Sequence, residues 1–247
     1  MNTFDLFSSF NMKLWKEAWK YWYENEPFRS GINEYIQEEL DQIKKEKGEI
    51  HILDLGCGSA WCAKHFINYY TEYVGVDFNE ELIEQLSKDF SKNSKSKFYT
   101  YDLESKEVFP IKDKKFNVAL ANFILLELAD IGRFFQNVAE LQEKGDYLII
   151  TGLDPVKEIM RISDSTELDE NLNKYYRQES PLVILKGISL NGKESNYQYL
   201  RILYSTKDII NEAFLHSYEL VGCGEKCNPD DNSPKPPLYY TLKFMKK

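Results

Sequence analysis

The sequence feature that most constrains the fold is an apolar run that ends in two closely spaced glycines. Residues 52–55 are apolar apart from Asp54, and Gly56 and Gly58 follow directly. A segment with helical periodicity then begins at Trp61. A buried strand, a glycine turn and a helix N-terminus within so short a stretch let a ligand approach backbone N–H groups. The sequence therefore predicts a binding site at this turn.

From residue 49 to residue 155, short apolar runs alternate with segments of helical periodicity. The predicted strands cover residues 50–55, 73–78, 97–103, 116–123 and 146–152. The predicted helices cover residues 61–70, 80–92 and 131–144, with Asn79 as the N-cap of the second. This alternation is typical of βαβ units, so we expect an α/β fold with a parallel sheet and helices on both faces.

The N-terminal 48 residues are predicted to form two helices before this alternation begins. Trp15, Trp19 and Trp22 recur at spacings that place all three indoles on one helix face. A second helix over residues 32–47 is expected to end at Gly48. The tryptophan face either packs this segment onto the domain or forms a lid that lines a ligand pocket, and the sequence leaves both open.

Residues 156–204 interrupt the alternation, and residues 205–247 resume it. The Asn191-Gly192 pair predicts a hairpin turn between strands over residues 182–190 and 196–204. This insertion is expected to be a cap or an extension of the sheet, and a possible contact in a homodimer. Thr206 is expected to cap a helix over residues 207–217, followed by an antiparallel pair of strands over residues 219–223 and 238–245 at one sheet edge. The prediction is a single domain over residues 1–247.

Composition and charge narrow the function classes. The 247 residues carry a net charge of −9, which disfavours binding to a nucleic acid backbone. No apolar run approaches the length of a membrane span, and no secretory signal pattern begins the chain. Four cysteines without a disulfide-type framework fit a reducing compartment. We therefore expect a cytoplasmic protein that binds neither nucleic acid nor membrane.

The residues that end the predicted strands indicate a nucleoside ligand. Ligands of an open parallel sheet bind beyond the carboxyl ends of its strands. Asp77 ends the second strand, where a carboxylate can accept hydrogen bonds from both hydroxyls of a ribose. Asp102 ends the third strand and suits an exocyclic amine of a base. Trp61 stands where a dinucleotide site needs glycine, so a nucleoside with a small polar tail is favoured over a pyrophosphate.

Residues 52–60, 74–77 and 101–103 together resemble the class I S-adenosylmethionine-dependent methyltransferases. The resemblance covers residues 49–155 well and residues 205–247 loosely, and it implies a Rossmann-like seven-stranded sheet with an antiparallel C-terminal hairpin strand. The N-terminal helical lid (1–48) and the inserted cap or hairpin (156–204) lie outside it. One departure is Ala60, where the family usually has a third glycine; we expect a modest adjustment of the turn.

The same resemblance implies S-adenosyl-L-methionine as cofactor and a set of residues that bind it. Asp54 would lie near the methionine amino group, Asp77 would bind the ribose hydroxyls, and Asp102 the adenine amine. The full implied set of cofactor-binding residues is Asp54, Gly56, Cys57, Gly58, Asp77, Phe78, Asp102, Leu103 and Asn122.

Methyl transfer from a sulfonium is an in-line displacement that needs alignment and exclusion of water more than a general base. No histidine follows a predicted strand, since His51 begins a strand whereas His65 and His216 lie in predicted helices. Weak candidates for a catalytic side chain are Glu127, Asp154, Tyr21, Tyr23, Tyr197 and Tyr199. No metal site is expected, because Cys223 and Cys227 are loosely spaced and no second Cys/His pair accompanies them.

The preferred function is N- or O-methylation of a small-molecule acceptor. Tyrosine rings offer cation–π faces, which would suit an aromatic or cationic acceptor. Two alternatives remain. One is a methyltransferase that acts on protein or RNA, and the other is a non-catalytic partner subunit that binds S-adenosylmethionine.

Overall fold

The computed structural model describes residues 13–24, 30–164, 166–177, 182–190, 193–226 and 239–247. The strands in these ranges are β1 (His51–Leu55), β2 (Glu72–Asp77), β3 (Ser96–Thr100), β4 (Val118–Asn122), β5 (Tyr147–Leu153), β6 (Leu182–Leu190), β7 (Lys193–Leu203), β8 (Tyr218–Lys226) and β9 (Tyr239–Lys246). The helices are α1 (Lys13–Glu24), α2 (Ser30–Lys47), α3 (Trp61–His65), α4 (Glu80–Asp89), α5 (Ile131–Ala139), α6 (Pro155–Ile162), α7 (Leu168–Tyr176) and α8 (Thr206–Leu215). A 3-10 helix, Leu125–Glu127, follows β4.

Seven strands form one sheet in the order β3-β2-β1-β4-β5-β9-β8. The pairs β1–β2, β2–β3, β1–β4 and β4–β5 are parallel, whereas β9 is antiparallel to β5 and β8. The strand order reverses between β1 and β4, which is where open α/β sheets bind their ligands. The predicted parallel sheet with an antiparallel C-terminal strand is confirmed.

Both faces of the sheet are buried, which explains the nearly continuous apolar character of its strands. Neighbouring residues of β1 separate to the two faces: Leu53 and Leu55 pack with α5 and α8, whereas Ile52 packs with α2, α3 and α4. Phe134 and Phe135 of α5 are fully buried in the first layer, and the second layer includes α2 side chains such as Ile36. Helices on both faces are therefore confirmed.

The helix predicted over residues 131–144 ends at Ala139. Two further helix predictions need correction. The helix after the glycine turn was predicted over residues 61–70 but ends at His65, because the buried Tyr70 hydroxyl donates to the Ala63 carbonyl and draws the chain back towards β2. The predicted cap of the last helix was Thr206, but Ser205 is the N-cap. The Ser205 hydroxyl accepts from the Asp208 N–H, and the Asp208 carboxylate accepts from the Ser205 N–H, which is a complete capping box.

The inserted segment forms its own layer. Strands β6 and β7 form a separate two-stranded antiparallel sheet, so the insertion is not an extension of the main sheet. The predicted turn at residues 191–192 lies outside the described residues, although Leu190 and Lys193 pair on either side of it. Helices α6 and α7 precede the hairpin and pack on each other through Ile159, which is fully buried with Leu203 of β7.

Helix α2 is part of the core, whereas α1 bonds to the segments that follow β2 and β4. Ile32, Ile36 and Leu40 of α2 are fully buried, and α2 ends at Gly48, whose φ of +80° fits the predicted C-cap. Trp15 and Trp19 of α1 are described, whereas the side chain of Trp22 lies outside the described residues. Among the described helices, none is both long enough and apolar enough to cross a membrane.

Candidate functional site

The turn after β1 adopts left-handed backbone at three positions within five residues. Gly56, Gly58 and Ala60 have φ values of +69°, +50° and +56°. Hydrogen bonds fasten this turn: the Cys57 N–H donates to the Val76 carbonyl at 2.9 Å, and the Ala60 N–H donates to the Cys57 carbonyl at 2.8 Å. Ala60 thus takes a conformation that favours glycine, at the position where the family usually has a third glycine.

The two glycines of the turn serve different purposes. A Cβ on Gly56 would lie 2.7 Å from Cδ1 of Ile124, so glycine is required there for the chain to pack. A Cβ on Gly58 would meet no described atom within 4 Å. The backbone at Gly58 is therefore open to a molecule that approaches the turn.

Asp77 ends β2 and faces this turn. Its Oδ2 accepts from the Gly58 N–H at 3.2 Å, and its Oδ1 accepts from the Asn79 N–H at 3.0 Å. Burial raises the pKa of Asp77, while the donated backbone N–H groups act in the opposite direction. The carboxylate therefore joins the glycine turn to the end of the neighbouring strand, and its role in ribose binding stays a prediction.

Asp54 is buried inside β1 and has a tyrosine partner that sequence reasoning missed. The Tyr73 hydroxyl donates to Asp54 Oδ2 at 2.5 Å. Burial, and then the charge of Asp54, raise the pKa of Tyr73 well above its ordinary value, so the phenol remains a donor. The alternation of residues along the strand predicts only which face of the sheet carries Tyr73. It does not predict the partner of the Tyr73 hydroxyl, because that partner depends on how β1 and β2 align.

Asn122 ends β4 on the other side of β1. Its Oδ1 accepts from the Thr151 hydroxyl at 3.0 Å, and its Nδ2 lies 3.4 Å from Cys62 Sγ. Phe123 follows with a φ of +59° and packs edge-to-face on Tyr239, with ring centroids 5.6 Å apart. The structure thus holds Asn122 at the carboxyl end of β4, and its implied contact with the cofactor stays a prediction.

The adenine end of the predicted site lies beyond β3. The Tyr101 N–H donates to the Asp77 carbonyl at 2.9 Å, which brings the residues that follow β3 alongside the end of β2. Asp102 is exposed, and its Oδ1 accepts from the Glu104 N–H at 2.9 Å. Leu103 is buried, and its carbonyl accepts from Asn137 Nδ2 at 2.9 Å. Phe78 is partly exposed directly after Asp77.

Glu127 is the weak catalytic candidate with the most elaborate surroundings. Its Oε2 accepts from the Trp15 indole N–H at 3.1 Å, and its Oε1 accepts from Arg201 Nη1 at 2.7 Å. Arg201 Nε lies 3.3 Å from Oε1 of the buried Glu158, which also accepts from Arg161 at 2.6 and 2.8 Å. Sequence reasoning missed Arg201, because its place between the apolar Leu200 and Ile202 predicts a solvent-facing side chain.

The remaining candidates have structural surroundings of their own. Asp154 is the N-cap of α6, and its Oδ1 accepts from the Lys157 N–H at 2.8 Å. The Tyr23 hydroxyl donates to Asp89, and burial together with that carboxylate raises the Tyr23 pKa to about 12, which disfavours a role as base near neutral pH. The side chains of Tyr21, Tyr197 and Tyr199 lie outside the described residues. Catalysis by any of these five stays a prediction.

Metal ligands are a separate matter. Within the part of the chain that the structure describes, no group of three or more His, Cys, Asp or Glu side chains could hold a metal ion.

Comparisons with known proteins match the part of the chain that contains the glycine turn. Residues 52–145, which include β1 to β4 and the glycine turn, match a family described as methyltransferase domain. The protein named Uncharacterized methyltransferase YcgJ from Bacillus subtilis (strain 168) is 24% identical over 136 residues. That match covers 55% of this chain and spans about half (50%) of the length of YcgJ.

The fold has solved counterparts. An S-adenosylmethionine-dependent methyltransferase from Clostridium acetobutylicum ATCC 824 superposes with a TM-score of 0.62 at 12% identity, covering 96% of this chain and 97% of that chain. Magnesium protoporphyrin IX methyltransferase from Synechocystis PCC 6803, solved with bound SAH, superposes with a TM-score of 0.59 at 11% identity, covering 95% and 97%. The glycine turn, the acidic residue that ends β2 and the strand order of the sheet thus occur in one chain whose residues 52–145 match a methyltransferase domain and whose fold is shared with solved S-adenosylmethionine-dependent methyltransferases.

Proposed function

We propose that the protein transfers the methyl group of S-adenosylmethionine to a nitrogen or oxygen of a small-molecule acceptor. The observation that carries this proposal is that the chain's own α1 and β7 are attached at the carboxyl edge of the sheet, where Trp15 bonds Asn79 after β2 and Glu127 after β4, and Arg201 bonds the same Glu127. A small acceptor can be enclosed by segments attached in this way, whereas a folded polymer requires an open edge.

The residues at the turn fit the cofactor. Three left-handed positions shape the turn at the end of β1, and the open space beside Gly58 admits a ligand against that backbone. The ionised carboxylate of Asp77 can exchange its bond to the Gly58 N–H for ribose hydroxyls, and Asn122 can contact the methionine part. When bound, S-adenosylmethionine supplies a methyl group already activated by the positive charge of its sulfur.

The chain's own task is then to orient the acceptor and to exclude water. Aromatic side chains near Asn122 support an aromatic or cationic acceptor, because Phe123 and Tyr239 offer ring faces and edges beside this strand end. The net charge of −9 argues against a nucleic acid acceptor.

Titration calorimetry with S-adenosylhomocysteine tests the cofactor site. We expect wild-type protein to bind, and Asp77→Ala to lose about 100-fold or more in affinity, because hydrogen bonds to a carboxylate are the strong ones. Asp113→Ala, which removes an exposed carboxylate before β4, is the control and should bind as wild type does. Unchanged affinity in Asp77→Ala would show that the ribose contact is elsewhere.

The acceptor class needs a second experiment. Methyl-labelled S-adenosylmethionine is incubated with the protein and, in parallel, with a metabolite extract, a protein fraction and an RNA fraction. Label in small molecules supports the proposal, whereas label in the polymer fractions alone would refute the small acceptor. Cofactor binding without transfer to any fraction would indicate a non-catalytic partner subunit.

A further inference from the structure

We infer that Trp15 and Arg201 are positioning residues that act through one carboxylate, Glu127, to fix α1 and β7 over the cofactor site. The inference rests on the proposed function only in taking the glycine turn as that site. It assigns roles to two side chains that lie far from the turn in sequence and that need not touch the cofactor.

The first observation is the double use of Glu127. This residue ends the 3-10 helix that follows β4, and its side chain is 11% exposed. One oxygen accepts from Trp15 of α1 and the other from Arg201 of β7, at 3.1 and 2.7 Å. The two segments at this edge therefore share Glu127 as one of their attachments to the sheet.

The second observation is the path of α1. The backbone carbonyl of Trp15 accepts from Asn79 Nδ2 at 2.9 Å, while its indole donates to Glu127. Asn79 follows β2 and Glu127 follows β4, and β1 lies between these two strands in the sheet. Trp15 therefore bridges the end of β1, which is the strand that carries the glycine turn.

The third observation is the charge balance around Arg201. Its guanidinium lies between Glu127 and Glu158, and the Glu158 side chain is only 2% exposed. Arg161 supplies the second positive charge of this group. Removal of Arg201 would take a positive charge from between Glu127 and Glu158 while Arg161 still bonds Glu158, so Glu127 should be held less firmly in its position.

The physical consequence is that the attachments of α1 and β7 through Glu127 depend on each other. If Glu127 moves, the indole of Trp15 loses its acceptor and α1 loses its attachment beyond β4. Loss of either Trp15 or Arg201 should therefore loosen the same cover, and loss of both should do little more than loss of one. Independent attachments would give additive effects instead.

Helix α1 contains a matched control. The Trp19 indole, one turn further along, donates to Glu81 of α4 at 3.2 Å. It is the same donor type on the same helix and bonds a similar acceptor, but it does not use Glu127. Trp19→Phe should therefore loosen α1 independently of Arg201.

The test is native-state hydrogen exchange of the α1 amides in the full-length, ligand-free protein, measured by mass spectrometry on wild type, Trp15→Phe, Trp19→Phe, Arg201→Met and the double variants. We expect Trp15→Phe and Arg201→Met each to speed α1 exchange about tenfold, the scale of one hydrogen bond to a charged group. The pair Trp15→Phe/Arg201→Met should exchange within about twofold of the faster single variant, whereas Trp19→Phe/Arg201→Met should show the product of its two single effects.

Additive effects in the first pair, or α1 exchange that is unchanged in Arg201→Met, would overturn the inference. If Arg201→Met does not fold, Arg201→Lys replaces it, since lysine retains one charged contact and should give a smaller acceleration with the same non-additivity. The dissociation rate of S-adenosylhomocysteine is a second readout and should rise with α1 exchange. Failure of wild type to bind S-adenosylhomocysteine would refute the proposed function, while the exchange cycle would still decide this inference.

Discussion

At the scale of single residues, the two glycines of the turn have different surroundings. Gly56 is confined by the side chain of Ile124, whereas Gly58 faces open space among the described residues. Both have positive φ, so an L-side chain at either position is strained. Substitution of Gly56 should therefore mainly lower stability, whereas substitution of Gly58 should mainly weaken ligand binding.

We therefore expect Gly56→Ala to cost more stability than Gly58→Ala. The left-handed conformation alone costs about 1 kcal/mol in each variant, and the contact with Ile124 adds about 1–3 kcal/mol in Gly56→Ala. Gly58→Ala should remain folded yet bind S-adenosylhomocysteine weakly, because its methyl group occupies the approach to the turn. Chemical denaturation and calorimetry on both variants check this, and tight binding by Gly58→Ala would contradict it.

The pKa of Asp77 predicts how cofactor binding depends on pH. Burial raises this pKa, and only the ionised carboxylate accepts hydrogen bonds at both oxygens. The affinity for S-adenosylhomocysteine should therefore fall as pH is lowered, beginning at a higher pH than an ordinary aspartate would produce. Asp77→Asn should bind weakly and lose this acid limb, as measured by calorimetry across an acidic pH series; an acid limb that persists unchanged would assign it to another group.

At the scale of elements, local sequence signals located the helices better than their ends. The helix after the glycine turn ends early because Tyr70, seven residues from Ala63, reaches back to its carbonyl. Helix α8 begins one residue before the expected position because a serine there completes a reciprocal box with Asp208. In both cases a side-chain bond decides the boundary, and periodicity does not register such bonds.

The capping box of α8 gives a prediction with a built-in control. Ser205→Ala removes a side-chain acceptor from the Asp208 N–H and should destabilise the protein by about 1 kcal/mol. Thr206→Ala alters the first helical residue without removing that acceptor and should change stability by less than about 0.5 kcal/mol. Thermal and urea unfolding of both variants measure the difference, and the reverse ranking would restore Thr206 as the cap.

At the scale of the whole molecule, the partly buried carboxylate of Glu104 should make the free energy of unfolding depend on pH. Glu104 Oε1 accepts from the Asp130 N–H at 2.5 Å, which connects the loop after β3 to the start of α5. Burial foremost, with the charges of Asp102 and Asp130, raises the Glu104 pKa from 4.5 to about 7. The folded state therefore retains a proton that the unfolded state releases.

It follows that Glu104 contributes stability below pH 4.5 and that this contribution is lost as pH rises through about 7. Between pH 5 and pH 7.5, the unfolding free energy of wild type should fall relative to Glu104→Gln, by up to about 3 kcal/mol. Urea unfolding at intervals of pH measures this. A constant difference between the two proteins would mean that Glu104 titrates normally.

The sequence by itself determined the sheet, the glycine turn, the acidic end of β2 and the acidic residue that follows β3. These follow from short-range patterns: period-two alternation, glycine spacing, and an acid at a strand terminus. Asp54, Gly58 and Asp77 could be named because each lies within or next to a strand that the pattern identifies. The family resemblance rests on the same stretches.

Only the tertiary structure decided what covers the site. Glu127 accepts hydrogen bonds from Trp15 and Arg201, which lie 112 and 74 residues away in the chain. Neither pairing produces a periodic pattern in the sequence. Arg201 follows the strand alternation as an ordinary outward residue, yet the hairpin places it between two buried carboxylates. Local patterns determine backbone states because the forces that set them act over a few residues, whereas a buried ion pair exists only after distant elements have packed.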